Sequence, residues 1–180
     1  MSSMSPESIL MPAECRSALA PPHQVKHAFS RIPAGVAIVA TMDADGVPQG
    51  LTASTVTPLS LEPPMLLVCM NRSVHCLPAF SQARRFAVSM LRPEHRDLAS
   101  RFAKHATDKF DGVSWSRGAL GQPVIDGALA TFECERDEML PGGDHIILTG
   151  LIQRAHAGEE GMAMVYLARR FHGLAVGGAD

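Results

Sequence analysis

Apolar and polar positions along this chain follow two periods, and the shorter one dominates. Gly35 to Met42, GVAIVATM, is an apolar run rich in strand formers, and Asp43-Ala-Asp-Gly46 behind it leads into a second extended stretch, VPQGLTASTVT, ending at Thr57. The Asp-Gly pair between two such runs predicts a hairpin, because both residues accept the positive φ angles of a tight turn. Pro58 and the pair Pro63-Pro64 exclude a long helix between Thr57 and Met65. MLLVCM, Met65 to Met70, then reads as a buried strand, and RFAVSML, Arg85 to Leu91, as another. From Leu129 the segment LATFECERDEM alternates, with Ala130, Phe132 and Cys134 on one side and Thr131, Glu133 and Glu135 on the other; this predicts a half-exposed strand. HIILTGLIQRAHA from His145 and MAMVYLA from Met162 bring the set to about six or seven strands.

The helical period is brief wherever it occurs. PPHQVKHAFSRI, from Pro21, places Val25, Ala28, Phe29 and Ile32 at i, i+3, i+4 and i+7, the stripe of a short amphipathic helix whose expected job is packing. Ser73 is placed to cap a short helix over Val74 to Ser81, which Pro78 limits in length. Pro93 opens PEHRDLASRFAKH, with Leu98, Ala99 and Phe102 as its apolar face and Arg96, Arg101 and Lys104 on or near the other. Many strands with only short helices between them favour a mainly β fold: a closed or nearly closed antiparallel barrel.

Composition narrows the picture. A length of 180 residues suits one domain, which we assign to residues 21–176, with a mobile tail at 1–20 that mixes Ser, Pro and Ala without a period and a short tail at 177–180. A hydrophobic fraction of 46% and a formal net charge of −2 fit a soluble globular protein and supply no field that would gather nucleic acid or an anionic membrane. No apolar run approaches the ~20 residues of a membrane span, and Met1 to Leu10 lacks the charged head and apolar stretch of a secretion signal; a cytoplasmic location is expected. Cys15, Cys69, Cys76 and Cys134 form no CxxC pair and read as reduced packing residues. The eight histidines include no HExxH, so no metal site is expected.

The local signatures GxGxxG, GxxxxGK[ST] and GxSxG are all missing, which leaves three clusters to carry chemistry. Thr52-Ala53-Ser54-Thr55 is a hydroxyl-rich run on an extended segment, suited either to a phosphate or the polar edge of a flavin, or to a solvated strand face. Asn71-Arg72-Ser73-Val74-His75 follows a buried strand, where the start of a helix and an Arg favour an anion, or where Ser73 merely caps. Gly142-Gly143-Asp144-His145 lets a backbone approach closely and brings a His into a strand from a turn, unless that His is simply solvent-exposed.

Taken in order, these pieces resemble the flavin reductase family of FMN-binding split barrels, the reductase components of two-component monooxygenases. The resemblance runs from about Phe29 to Leu174, through Pro33-Ala-Gly-Val36 with IVAT, GLTASTVTPLSLEPP from Gly50, FAVSML from Phe86, LASRFA from Leu98, ALATFEC ending at Cys134, GGDHIILTG from Gly142, and the Tyr166 segment. It implies a homodimer of Greek-key split barrels that binds FMN or FAD and takes hydride from NADH or NADPH. It also implies a flavin-dependent oxygenase or halogenase as the recipient of reduced flavin.

By the same resemblance, Gly50, Leu51, Thr52, Ala53, Ser54 and Thr55 line the isoalloxazine and ribityl chain. Asn71, Ser73 and His75, with Phe102, Ala103 and Lys104, approach the phosphate. His145 stands where the nicotinamide stacks, as the catalytic candidate, with Tyr166 nearby. Two positions depart from the family pattern: Arg169 falls where a Tyr-x-x-Gly turn is frequent, and Cys76 where a Thr is frequent. Competing expectations are a barrel that retains its FMN and acts on a substrate of its own, and a flavin-binding or sensor module without turnover.

Overall fold

A computed structural model describes residues 19–106 and 108–175. The predicted tails therefore lie outside the described residues, apart from positions 19 and 20, and so does Cys15. The chain divides into two units, with the boundary between Ile32 and Pro33.

The first unit holds helix α1, Pro22–Phe29. Pro22 opens it, and Lys26 and His27 in its last turn suit the negative end of the helix dipole. None of its residues is buried, and Phe29 and Ile32 are 66% and 60% exposed. A helix of two turns is too short to cover its own apolar side chains.

Among its described residues the second unit has twelve strands. These are β1 Ala34–Gly35, β2 Ala37–Met42, β3 Pro48–Ala53, β4 Val56–Leu61, β5 Pro64–Asn71, β6 Arg85–Met90, β7 Trp115–Arg117, β8 Pro123–Ile125, β9 Ala130–Gly142, β10 His145–Ala157, β11 Ala163–Leu167 and β12 Arg170–Leu174. Helix α2, Leu77–Gln82, precedes β6, and a 3-10 turn at Pro93–His95 leads into α3, Arg96–Phe102. Seven strands form one antiparallel sheet in the order β3-β2-β6-β9-β10-β5-β4. Its two edge strands, β3 and β4, are consecutive in the chain and separated only by Ser54 and Thr55, so the sheet must curl back on itself. This is a barrel closed by the covalent chain at its seam, the architecture expected. A three-stranded sheet, β1-β11-β12, and the pair β7-β8 accompany it.

The period-2 pattern explains the two cores. Along β2, Ala37 and Val39 point into the barrel, where they meet Leu51, Val68, Met70, Phe86, Val88 and Leu148. Ile38 and Ala40 point outward into a second core with Leu91, Ala99, Phe102, Phe110 and Met164. β2 is apolar on both faces because both are covered. In the β2–β3 turn, Gly46 takes φ +75°, and Asp43 Oδ1 accepts the Asp45 and Val47 N–H groups. Those hydrogen bonds, led by that from Val47, hold the Asp43 carboxyl below its ordinary range.

Four expectations are corrected. The stretch to Thr57 is two strands, broken at Ser54 and Thr55, where the chain passes from one sheet edge to the other. Ser73 caps no helix: α2 starts at Leu77 because Asn71 Oδ1 instead accepts both the N–H and the hydroxyl of Ser73 and closes a turn. The helix opened by Pro93 begins as a 3-10 turn and ends at Phe102, short of His105. Glu133, on the face expected to meet solvent, is 8% exposed and accepts the N–H groups of Ala119 and Leu120, anchoring the loop that leads to β8. No helix among the described residues is long and apolar enough to cross a membrane.

Candidate functional site

α3 lies against β3 because two small features of β3 admit it. A Cβ on Gly50 would stand 3.0 Å from the Val39 carbonyl oxygen and 3.1 and 3.3 Å from the rings of Phe102 and Phe110. A side chain here would press on the Val39 carbonyl and on both rings. Thr52 then donates its hydroxyl to the Ala99 carbonyl at 2.7 Å, which ties strand to helix a second time. Phe110, edge-on to Phe102 at 4.8 Å, fills the space behind.

This docking leaves a cleft lined by Leu51 and Thr52 of β3, Val74 and His75, and Phe102, Ala103, Lys104, His105 and Lys109. Residues from all three segments assigned to flavin binding by the sequence thus meet in one place: Leu51, Thr52, His75, Phe102, Ala103 and Lys104. The other candidates from those segments are elsewhere. Gly50 and Ala53 are buried, the first under α3 and the second in the barrel. Ser54 and Thr55 are exposed at the seam. Asn71 and Ser73 form the exposed turn just ahead of His75, bound to each other.

His145 and Tyr166 do not line the cleft. His145 opens β10 directly opposite Asn71, and the Arg72 N–H donates to the Asp144 carbonyl, so the His145 hairpin and the Asn71 turn are neighbours. His145 Nδ1 lies 2.8 Å from Asp144 Oδ1, and this hydrogen bond and the imidazole's charge hold the Asp144 carboxyl below its ordinary range. The His145 side chain is 41% exposed and open to a second molecule. Gly143, with φ +70°, supplies the turn. Tyr166 belongs to the three-stranded sheet, where its ring stands 5.3 Å from that of Phe171 and packs on the outer core.

Sequence reasoning missed His105 and Lys109, and named Val74 only as part of the Asn71–His75 turn. Lys109 is the most informative, since only 7% of it is exposed. Its Nζ donates to the carbonyls of Phe102 at 3.0 Å and Gly50 at 3.3 Å. Burial pushes the ammonium below its ordinary value, partly opposed by the Cys76 thiol, while burial pushes that thiol upward. Nothing in the linear pattern marks Lys109, because its partners lie 59 and 7 residues away.

A larger cleft, of about 560 Å³, opens across α3 between Glu94, Asp97 and Arg101 on one side and Val113, Ser114 and Asp126 on the other. It shares Lys104 with the first. Among the described residues no group of His, Cys, Asp or Glu could hold a metal ion.

The smaller cleft, of about 50 Å³, is lined by groups that suit an anion the size of a phosphate. Lys104 and Lys109 supply cationic groups and His75 and His105 polar ones, the Thr52 hydroxyl can only accept because its proton goes to Ala99, and no carboxylate is among the described residues that line the cleft.

Comparison with known proteins identifies the class. Residues 29–175 match the flavin reductase like domain, and the chain belongs to that family. It is 48% identical over 150 residues to the actinorhodin polyketide dimerase of Streptomyces coelicolor, covering 83% of this chain and 85% of that protein. It is 35% identical over 151 residues to the flavin reductase (NADH) of Kitasatospora aureofaciens, with 83% and 79% covered. The crystal structure of the Streptomyces globisporus NADH:FAD oxidoreductase SgcE6, in complex with NAD and FAD fragments, superimposes with a TM-score of 0.80 at 32% identity, over 89% of this chain and 99% of that one. Further relatives carry names such as the reductase subunit of a flavin-dependent monooxygenase and the flavin reductase component of a tryptophan halogenase. Some curated relatives are longer, and the chain spans about half their length.

Proposed function

We propose that the protein is an NAD(P)H-dependent flavin reductase that binds FMN or FAD in the cleft between β3 and the end of α3. The observation that carries this is the convergence there of Leu51, Thr52, His75, Phe102 and Lys104 from three separate segments, in a chain of the flavin reductase like domain family. When bound, flavin supplies a hydride acceptor at N5, so the protein has no need of an acid-base pair.

The chain's own residues then align the reactants. Lys104 and His75 hold the phosphate, the apolar wall of Leu51 and Phe102 excludes water, and the exposed Ser54 and Thr55 offer hydroxyls to the polar rim of the ring. His145, on the hairpin beside the Asn71 turn, orients the nicotinamide, and Asp144 fixes its ring through Nδ1. Stacked reactants must approach to ~3–3.5 Å, which an open site allows for two molecules that enter and leave in turn. In this reading two copies of the chain pair in the cytoplasm, and Tyr166 packs on the outer core and serves the ligands only through the β11–β12 segment.

We infer further that the reduced flavin passes to a flavin-dependent oxygenase or halogenase. The polyketide named in the 48% identical relative favours a polyketide as that enzyme's substrate. The test is anaerobic oxidation of NADH and NADPH by the purified protein with FMN, FAD or riboflavin added in turn. Turnover that depends on added flavin supports the reductase. Oxidation by protein carrying stoichiometric flavin, with no response to more, would instead support a flavoprotein with its own substrate, and bound flavin without oxidation a binding module.

A further inference from the structure

The flavin-binding reading uses Lys104 and His75 but leaves the buried Lys109 without a task. Lys109 is 7% exposed, yet the acceptors of its ammonium are two neutral carbonyls, those of Gly50 and Phe102. An ammonium carries three N–H donors, and these two carbonyls occupy two. A buried cation without a carboxylate partner is costly unless the site is built to receive negative charge. Lys109 lines the same cleft as Lys104, His75 and His105, and none of the residues lining that cleft is Asp or Glu.

A purely structural role would satisfy Lys109 at less cost. Phe102 O belongs to the unpaired carbonyls at the end of α3, and water or an uncharged amide could cap it. An anion in the cleft would give the charge a partner that the two carbonyls do not.

We propose that Lys109 is the fixed counter-charge for the flavin's phosphate and thereby sets the preference for phosphorylated flavins over riboflavin. The inference rests on the placement of flavin in this cleft. Exposed Lys104 reaches the same phosphate as a screened surface charge. Lys109, with its stem buried and its head held by two carbonyls, contributes a pre-oriented charge in a place water does not screen. Burial holds its ammonium below the ordinary lysine value, and a phosphate bound beside it would restore it.

The experiment compares FMN, FAD and riboflavin binding, by quenching of flavin fluorescence, in the wild type, Lys109→Met and Lys109→Arg. Methionine keeps the length and apolar stem and removes the charge. Loss of one charge-assisted hydrogen bond should weaken FMN and FAD by about ten- to a hundredfold and riboflavin by less than about threefold. Arginine should recover most of the FMN affinity. Equal losses for FMN and riboflavin would reduce Lys109 to a structural cap and overturn the proposal, as would a wild type that binds riboflavin as tightly as FMN. A second measurement stands apart from flavin: inorganic phosphate should raise the melting temperature of the wild type but not of Lys109→Met. If both respond alike, the anion site is not at Lys109. If flavin does not bind while phosphate stabilises only the wild type, Lys109 remains an anion site and the flavin reading falls instead.

Discussion

Gly150 lies in β10, at an irregularity of its pairing with β9, and the structure allows no side chain there. A Cβ at this position would stand 2.5 and 2.7 Å from ring carbons of Phe86 and 2.9 Å from Cys134 Cβ. Carbon atoms in contact prefer ~3.5–4.0 Å, so the Phe86 ring would have to retreat by about 1 Å. Phe86 is 1% and Cys134 0% exposed, and the barrel interior beyond them is filled by Val88, Leu148 and Phe80. Gly150→Ala is therefore an overpacking substitution with an expected cost of about 1–3 kcal/mol, set by steric clash rather than by a special φ. At roughly 2–4 °C per kcal/mol for a chain of this size, the melting temperature should fall by about 2–12 °C. Calorimetry or urea unfolding measures this, with a lower midpoint at unchanged m-value. Phe86→Leu should partly relieve the clash, so the double variant should be more stable than the sum of the two single losses, by about 0.5–3 kcal/mol. Gly150→Ala at the wild-type melting temperature would refute this packing of the barrel interior.

Single residues carry the other expectations. His145→Ala should raise the Michaelis constant for the nicotinamide while leaving the flavin dissociation constant within about threefold; unchanged nicotinamide kinetics would remove His145 from the site. The Cys134 thiol is pushed up to about 12 by burial and the neighbouring Glu133, so a thiol reagent at pH 8 should label it only after unfolding, as mass spectrometry of the labelled protein would reveal. Arg169 holds φ +62° in the β11–β12 turn, and Arg169→Gly should stabilise the protein by about 0.5–1 kcal/mol, read as a small rise in melting temperature. Lys109 loses its proton below the ordinary value of 10.5 in the free protein, so FMN affinity should fall as pH rises through that depressed value. Over the same window folding stability should rise, because the unfolded chain binds the proton more tightly there. Lys109→Met should flatten both profiles.

The barrel was legible because its determinants are local. The Asp43 to Gly46 turn, the apolar run of β2 and the alternation around Phe132 each state their structure within a few residues. Glu133 and Ser73 were misread because their partners decide them: Glu133 is buried only because the loop at Ala119 and Leu120 returns to it, and Ser73 turns to Asn71 before any helix begins. The candidate site divides in the same way. The Thr52–Thr55 and Asn71–His75 clusters announced Thr52 and His75 and the resemblance added Lys104, whereas Lys109 gains its meaning from contact with Gly50, which no spacing rule connects to it. His145 was placed by resemblance alone, and the structure sets it on the neighbouring hairpin rather than in the cleft.

Flavin in the cleft between β3 and the end of α3 is the point on which the proposed function stands or falls. A crystal structure of the protein grown with FMN tests it. Density for the phosphate is expected beside Lys104 and Lys109, with the ring extending past Thr52 toward Ser54 and Thr55. Density in the larger cleft between Asp97 and Asp126 instead, with the β3 cleft empty, would contradict it.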